Sequence, residues 1–121
     1  MPRQGVVHSY VVDNWVSGIT DFLSFYSLPS TVIGHPKHDS LNAAYCYYYV
    51  ANTVDSAALL TDALTIAAGL KFDVFNALDI MDNGPSMVPL KFGVGDGHLQ
   101  YYLFNWRFPD VQPNLIGLVM L

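Results

Sequence analysis

The segment over residues 91–97, which reads KFGVGDG, has the residue types and spacing most suggestive of chemistry. Closely spaced glycines let backbone N–H groups approach an anion, so a phosphate-binding loop is the first hypothesis. The dinucleotide-binding pattern would need glycine at position 98, where the chain has His98, and no lysine is followed by serine or threonine as in a Walker loop. The residue types alone therefore favour a tight turn between strands.

Other reactive side chains are weaker candidates. His35 and His38 are separated by Pro36 and Lys37, but two imidazoles without a third ligand are weak evidence for a metal site, and a solvated loop is favoured. Cys46 lies in an apolar, tyrosine-rich segment, where a thiol is usually inert packing. Because no serine lies in a Gly-x-Ser-x-Gly turn, the sequence does not support hydrolytic catalysis.

Hydrophobic periodicity predicts the elements that must position these residues. Segments rich in β-branched and aromatic residues are typical of strands, whereas an apolar period of three to four residues is typical of helices. The first two strands are expected to be antiparallel. On this basis we predict strands over residues 6–12, 18–28, 41–50, 72–75, 88–94, 99–106 and 115–120, and a short helix over residues 77–82.

The clearest helix is predicted over residues 55–68. Asp55 or Ser56 can cap its N-terminus, and Gly69 can take the left-handed conformation after its C-terminus. The segment Asn83-Gly84-Pro85 is expected to close the short helix that follows. Strands with interspersed helices predict an α+β fold: a mixed, mostly antiparallel sheet with helices packed on it.

Composition limits the class of protein. A chain of 121 residues with 52% hydrophobic residues is expected to be one folded domain. Its formal charge of −5 disfavours nucleic acid and suits a cationic partner. Cys46 has no second cysteine to pair with, which favours a reducing, cytoplasmic location. No apolar run is long enough to predict an integral membrane segment, and the N-terminus lacks the apolar core of a signal peptide.

Several segments together resemble one family. The KFGVGDG segment fits the signature KFGxGDG without departure, an aromatic stretch follows it, and the chain stops on the apolar Leu121. The segments LPST over residues 28–31 and LNAAY over residues 41–45 fit the same family. From about residue 7 to residue 121 the chain is similar to the C-terminal part of protein N-myristoyltransferase, also called glycylpeptide N-tetradecanoyltransferase.

The resemblance implies which residues contact a peptide substrate. Ser30 would recognise a polar side chain of the peptide, and Leu41 and Tyr45 would line the acyl-transfer site. Asp96 and Gly97 would contact the peptide, with Leu99 packed nearby. From the residue types alone, serine is more often a turn residue, and leucine and tyrosine in a strand are more often core residues.

The resemblance also implies that the terminal carboxylate of Leu121 is the general base of the reaction. An ordinary α-carboxylate has a pKa of about 3.3–3.7 and is poorly matched to an ammonium group with a pKa of about 7.7–8.0. Apolar surroundings would raise the pKa of the carboxylate and make it a better proton acceptor. Without the resemblance, residues 115–121 are interpreted as a final edge strand.

The implied activity is transfer of a myristoyl group from myristoyl-CoA to the amine of an N-terminal glycine in a protein. Residues 1–121 would then be a single partial domain, the C-terminal half of a GNAT-like acyltransferase fold. Myristoyl-CoA would be a co-substrate bound mainly by the absent N-terminal half, with no further cofactor. The chain alone is therefore expected to be inactive. Two alternatives stay open: a non-catalytic peptide-binding module, and a fragment that does not fold stably by itself.

Overall fold

The computed structural model describes residues 3–37 and 39–120. The described chain divides into two compact units. One unit extends to Leu78 and includes Val119 and Met120, and the other comprises Asp79–Leu118. Of the candidate residues named from the sequence, His38 and Leu121 lie outside the described residues.

The first unit is built on a four-stranded sheet. The strands of the described chain are β1 (Val7–Asn14), β2 (Gly18–Ser27), β3 (Ser30–Thr31), β4 (Ser40–Leu41), β5 (Ala43–Val50) and β6 (Val74–Asn76). The order in the sheet is β1-β2-β5-β6, in which β1 with β2 and β2 with β5 are antiparallel, while β5 with β6 is parallel. Strands β3 and β4 form a separate antiparallel pair. This mixed, mostly antiparallel sheet, with a helix packed on it, confirms the predicted α+β class.

Helix α1 (Ser56–Gly69) covers one face of the sheet. Its buried residues recur at the predicted apolar period, because a helix brings residues three and four apart to the same side. The core they form contains Leu23 and Phe25 from β2, Ala44 from β5, and Leu59, Ala63 and Ala67 from α1.

The end of α1 differs from the prediction. Gly69 belongs to the helix, and Lys71 takes the left-handed conformation with φ 69°. The N–H groups of Lys71 and Phe72 donate to the carbonyls of Ala68 and Ala67, both at 3.1 Å, which closes the last turn. The ring of Phe72 then lies edge-on to Phe25, with centroids 5.9 Å apart. This apolar contact favours the left-handed conformation at Lys71 rather than at Gly69.

The predicted strand over residues 41–50 is interrupted at Asn42. Its N–H donates to the Asp73 carboxylate at 2.8 Å, and its side-chain amide donates to the Lys71 carbonyl at 3.2 Å. These bonds tie the start of β5 to the segment after α1. Asn42 thereby separates β4 from β5.

The predictions for residues 77–120 are largely wrong. No helix forms over residues 77–82 of the described chain, and α2 instead comprises Gly84–Met87, the first turn of which contains Pro85. Proline is favoured in a first helical turn because its missing N–H would have no helical partner there. The segment predicted to end a helix therefore begins one.

The strands predicted over residues 88–94, 99–106 and 115–120 are not found in the described chain. The turn after α2 occupies backbone donors locally, as Lys91 N–H donates to the Val88 carbonyl at 3.0 Å and Phe92 N–H to the Met87 carbonyl at 2.9 Å. A 3₁₀ helix forms at Pro113–Leu115. A β-type residue pattern becomes a strand only where a neighbouring strand can pair with it.

A buried carboxylate holds the loop between β5 and α1. Asp21 of β2 is 1% exposed and accepts hydrogen bonds from the Thr20 and Thr53 hydroxyls and from the N–H groups of Asn52, Thr53 and Val54. The Thr53 hydroxyl makes the largest contribution, and together these donors outweigh desolvation and hold the pKa of Asp21 well below its usual range. Asp21 therefore remains charged and fixes the approach to α1.

The thiol of Cys46 is buried in β5. Burial raises its pKa to about 12, so it is protonated at neutral pH and is a poor nucleophile. This agrees with a packing role. Among the described residues, no helix has the length and apolar character needed to cross a membrane.

Candidate functional site

A cluster of four tyrosines lies on β2 and β5; we call Tyr26, Tyr45, Tyr47 and Tyr48 the tyrosine cluster. Tyr26 and Tyr45 are cross-strand partners, and their rings stack with centroids 5.3 Å apart and planes 13° apart. Tyr47 meets the Tyr26 ring edge-on at 5.7 Å. All four rings are partly buried, so each retains some accessible surface. The substrate-contact residue predicted at position 45 is therefore held by a neighbour that was not predicted.

A β-bulge brings the remaining tyrosine into contact. Leu23 pairs with Tyr49 and Phe25 with Cys46, so Ser24 alone lies opposite both Tyr47 and Tyr48. The Ser24 hydroxyl donates to the Tyr48 carbonyl at 2.7 Å and holds this irregularity. Successive side chains normally point to opposite faces of a sheet, but a bulge can redirect one of them. The rings of Tyr47 and Tyr48 accordingly lie 4.5 Å apart.

The C-terminal tail, by which we mean the chain from Val119 onward, is attached to this cluster through Val119. The N–H of Val119 donates to the Tyr48 hydroxyl at 2.9 Å, and the Val119 side chain is only 7% exposed. Met120, the next residue, is 64% exposed. The attachment lies two residues before Leu121, the residue that the sequence nominates as the base.

Two other predicted substrate contacts lie opposite one another. Ser30 of β3 pairs with Leu41 of β4, and both side chains are partly buried. The Leu28 N–H donates to the Ala43 carbonyl at 3.0 Å and joins the end of β2 to the start of β5. Ser30, Leu41 and Tyr45 therefore belong to the same compact unit.

The remaining predicted contacts lie in the second unit. Asp96 and Gly97 are exposed, and Leu99 is 70% exposed. The same unit holds the segment before the tail, because the Tyr101 hydroxyl donates to the Leu118 carbonyl at 2.8 Å and Met81 N–H donates to the Ile116 carbonyl at 3.1 Å.

The glycines of the KFGVGDG segment are not required by local geometry. None of Gly93, Gly95 and Gly97 has a left-handed φ, and a Cβ built on any of them meets no described atom within 4 Å. The expected hairpin turn is also absent among the described residues. Glycine at an exposed, unstrained position leaves room for another molecule to approach the backbone.

Comparison with known proteins decides the family. The family model described as "Myristoyl-CoA:protein N-myristoyltransferase, C-terminal domain" matches residues 1–118. The chain belongs to the N-myristoyltransferase family. It is 57% identical over 120 residues to a probable glycylpeptide N-tetradecanoyltransferase of Caenorhabditis elegans, which covers 99% of this chain and 27% of that protein. It is 50% identical over 120 residues to glycylpeptide N-tetradecanoyltransferase 2 of Bos taurus, covering 99% of this chain and 24% of that protein.

A solved structure supports the same family and the GNAT-like fold. The crystal structure of Saccharomyces cerevisiae N-myristoyltransferase with bound myristoyl-CoA matches with a TM-score of 0.67 and 39% identity, over 77% of this chain and 26% of that one. The chain thus spans about a quarter of the length of the curated relatives it matches.

Tyr26, Tyr47 and Tyr48 are not among the residues that the sequence nominates for the candidate site. Within the tyrosine-rich segment over residues 45–49, the resemblance singles out Tyr45 alone. Placing Tyr26 beside Tyr45 requires the register of β2 with β5, and placing Tyr48 requires the bulge. Asp21 carried a clearer signal, since a carboxylate within the apolar run ITDFLSFYS is unusual for a strand side chain that faces a core.

Proposed function

We propose that this chain forms the peptide-binding part of an enzyme that transfers a myristoyl group from myristoyl-CoA to the α-amine of an N-terminal glycine. The proposal assigns peptide contacts to Ser30, Leu41, Tyr45, Asp96, Gly97 and Leu99, and the role of general base to the Leu121 carboxylate. The buried, free thiol of Cys46 fits a reducing compartment such as the cytoplasm. No cofactor beyond the acyl donor is proposed.

The proposed reaction needs no covalent enzyme intermediate. The glycine nitrogen attacks the thioester carbonyl carbon, an amide C–N bond forms, and the C–S bond to coenzyme A breaks. The proton lost by the amine passes to the Leu121 carboxylate. Coenzyme A leaves as a thiolate that takes up a proton from water, and the carboxylate returns its proton to solvent. The contribution of this chain is to orient the peptide amine and to accept its proton.

The observation that carries the proposal is the attachment of the tail within a chain that matches the family over residues 1–118. The bond from Val119 N–H to the Tyr48 hydroxyl ties the tail to the strand that carries Tyr45, the proposed peptide contact. A carboxylate can act as a general base only if its backbone is held near the bound amine. The open backbone at Gly95 and Gly97 further supports close approach of a peptide.

A chimera tests the proposal in the context of a longer enzyme. We define it as the Caenorhabditis elegans relative in which this chain replaces the matching 120 residues. With myristoyl-CoA and a peptide that begins with glycine, the chimera is expected to form myristoylated peptide and free coenzyme A. The isolated chain is expected to be at least about 10²-fold slower, because it lacks the proposed acyl-donor site that orients the thioester.

The controls separate transfer from binding. A peptide with an acetylated glycine has no free amine and should give no product with the chimera. Turnover of the isolated chain at the rate of the chimera would contradict the proposed division of roles. A chimera that binds the glycine peptide without acylating it would instead favour a non-catalytic peptide-binding module.

Removing the Tyr48 hydroxyl should selectively slow the reaction. Tyr48→Phe keeps the ring but leaves Val119 N–H without its partner, so we expect kcat of the chimera to fall by about 2–10-fold. The KM for the peptide should change little, since the proposed peptide contacts remain. Steady-state kinetics of the chimera measure both parameters. Tyr10→Phe, on β1, is the matched control and should leave both unchanged, whereas equal kcat values for all three proteins would exclude a role for the tail attachment.

A further inference from the structure

The tyrosine cluster forms a continuous series of contacts between the proposed peptide side and the tail. Tyr45 stacks on Tyr26 at 5.3 Å, Tyr47 meets Tyr26 at 5.7 Å, and Tyr47 meets Tyr48 at 4.5 Å. The series ends at the hydrogen bond from Val119 N–H to the Tyr48 hydroxyl. One end therefore carries the proposed peptide contact, and the other end holds the tail.

The two inner rings, Tyr26 and Tyr47, hold their neighbours in different ways. Tyr26 is the cross-strand partner of Tyr45, and the small angle of 13° between their planes means that the orientation of one ring limits the other. Tyr47 lies between Tyr26 and Tyr48 at the bulge, with its ring at 85° to Tyr26 and 52° to Tyr48. Among the described ring contacts, Tyr47 has none with Tyr45. Tyr47 therefore affects the position of Tyr48, which holds the tail, more than the position of Tyr45.

We infer that Tyr26 and Tyr47 are positioning residues that fix the tail relative to the peptide-binding side of the sheet. This inference rests on the proposed function, which places the peptide at Tyr45 and the base at Leu121. Tyr26 acts on both ends of the series, through Tyr45 and through Tyr47. Tyr47 acts on the tail end, through Tyr48. Neither residue needs to touch the substrate.

The inference predicts different kinetic effects for the two rings in the chimera. Tyr47→Leu removes the ring beside Tyr48 and should lower kcat roughly tenfold with the peptide KM within about twofold of the parent. Tyr26→Leu also frees Tyr45 and should lower kcat roughly tenfold while raising the peptide KM several-fold. Tyr26→Phe and Tyr47→Phe keep the rings and should restore both parameters to within about twofold of the parent.

A double substitution tests whether Tyr47 acts through Tyr48. If it does, Tyr47→Leu combined with Tyr48→Phe should lower kcat no further than the larger of the two single effects, because both changes release the same tail. If the fold-reduction in kcat of the double variant equals the product of the two single fold-reductions, Tyr47 and Tyr48 act independently. That result would overturn the inference that Tyr47 acts through Tyr48. Tyr10→Leu, which removes a tyrosine ring from β1 of the same sheet, controls for general loss of aromatic packing.

The outcomes distinguish the inference from the proposed function. An active parent chimera whose Tyr26→Leu and Tyr47→Leu variants keep the parental kcat and KM overturns the inference alone. A parent chimera that binds peptide but transfers nothing overturns the proposed function and the inference with it. If a leucine variant does not fold, the methionine variant at the same position replaces it, since methionine supplies volume without a ring. A fall in kcat that follows only the loss of folded protein, measured by thermal unfolding, also counts against the inference.

Discussion

Appending a single glycine after Leu121 is expected to reduce kcat of the chimera by roughly 10²–10⁴-fold, the usual contribution of a positioned general base. The added residue moves the α-carboxylate one position along the chain and puts a neutral amide in its place. A shift of the chain by one residue, which would return a carboxylate to its former position, is opposed at Val119. The Val119 N–H is bonded to Tyr48, and the Val119 side chain is buried. Single-turnover measurement of amide formation would report the loss directly.

The matched control for the appended glycine is Leu121→Ala, which changes the last side chain but keeps a carboxylate at the same backbone position. Its kcat should remain within about tenfold of the parent, since the carboxylate proposed as the general base is kept. Peptide binding should be similar in both variants. An appended glycine that leaves the rate of acylation unchanged would remove Leu121 from the mechanism.

Substituting the buried carboxylate of Asp21 is expected to have the largest effect on stability. Asp21→Leu leaves the N–H groups of Asn52, Thr53 and Val54 without their common acceptor, and partly buried donors without partners are destabilising. We expect the melting temperature of the chimera to fall by about 5–10 °C. Asp62→Leu, on the exposed face of α1, removes a carboxylate that has no such role and should change the melting temperature little.

The stabilisation from Asp21 should also depend on pH. Its pKa is depressed in the folded chain, while that of an unfolded aspartate is about 3.9. The stabilising contribution is therefore fully present above about pH 4 and is lost as the pH falls through the lower, folded pKa. Asp21→Asn cannot ionise, so the difference in melting temperature between the parent and this variant should be largest near neutral pH and narrow below pH 4. A difference that stays constant from pH 7 to pH 2 would contradict the assignment of the low pKa to Asp21.

Local sequence pattern was sufficient where an element forms within one segment. Helix α1 satisfies a three- and four-residue apolar period, and β1 and β2 are joined by a short turn, so their positions were predicted closely. The same hydrophobic pattern gave wrong strands over residues 77–120. It does not specify which groups the backbone N–H and C=O groups of that segment bond to. The N–H of Val119, predicted to belong to a strand, pairs with a side-chain hydroxyl 71 positions away.

For the candidate site, too, local sequence was sufficient for one part and not for the rest. The signature over residues 91–97 and the LPST and LNAAY segments were sufficient to predict the family, because they are short runs of fixed residue types. The roles given to Ser30, Leu41, Tyr45, Asp96, Gly97, Leu99 and Leu121 remain predictions.

The amino-acid sequence by itself determined the family, the α+β class and the main helix, since each depends on residues close together in the chain. Only the tertiary structure decided that Tyr26 stacks on Tyr45, that a bulge brings Tyr47 to Tyr48, and that Tyr48 holds the tail. These contacts depend on strand register, and a shift of one residue would place each side chain on the opposite face of the sheet. Register is set by the packing of the whole sheet against α1, which no single segment specifies.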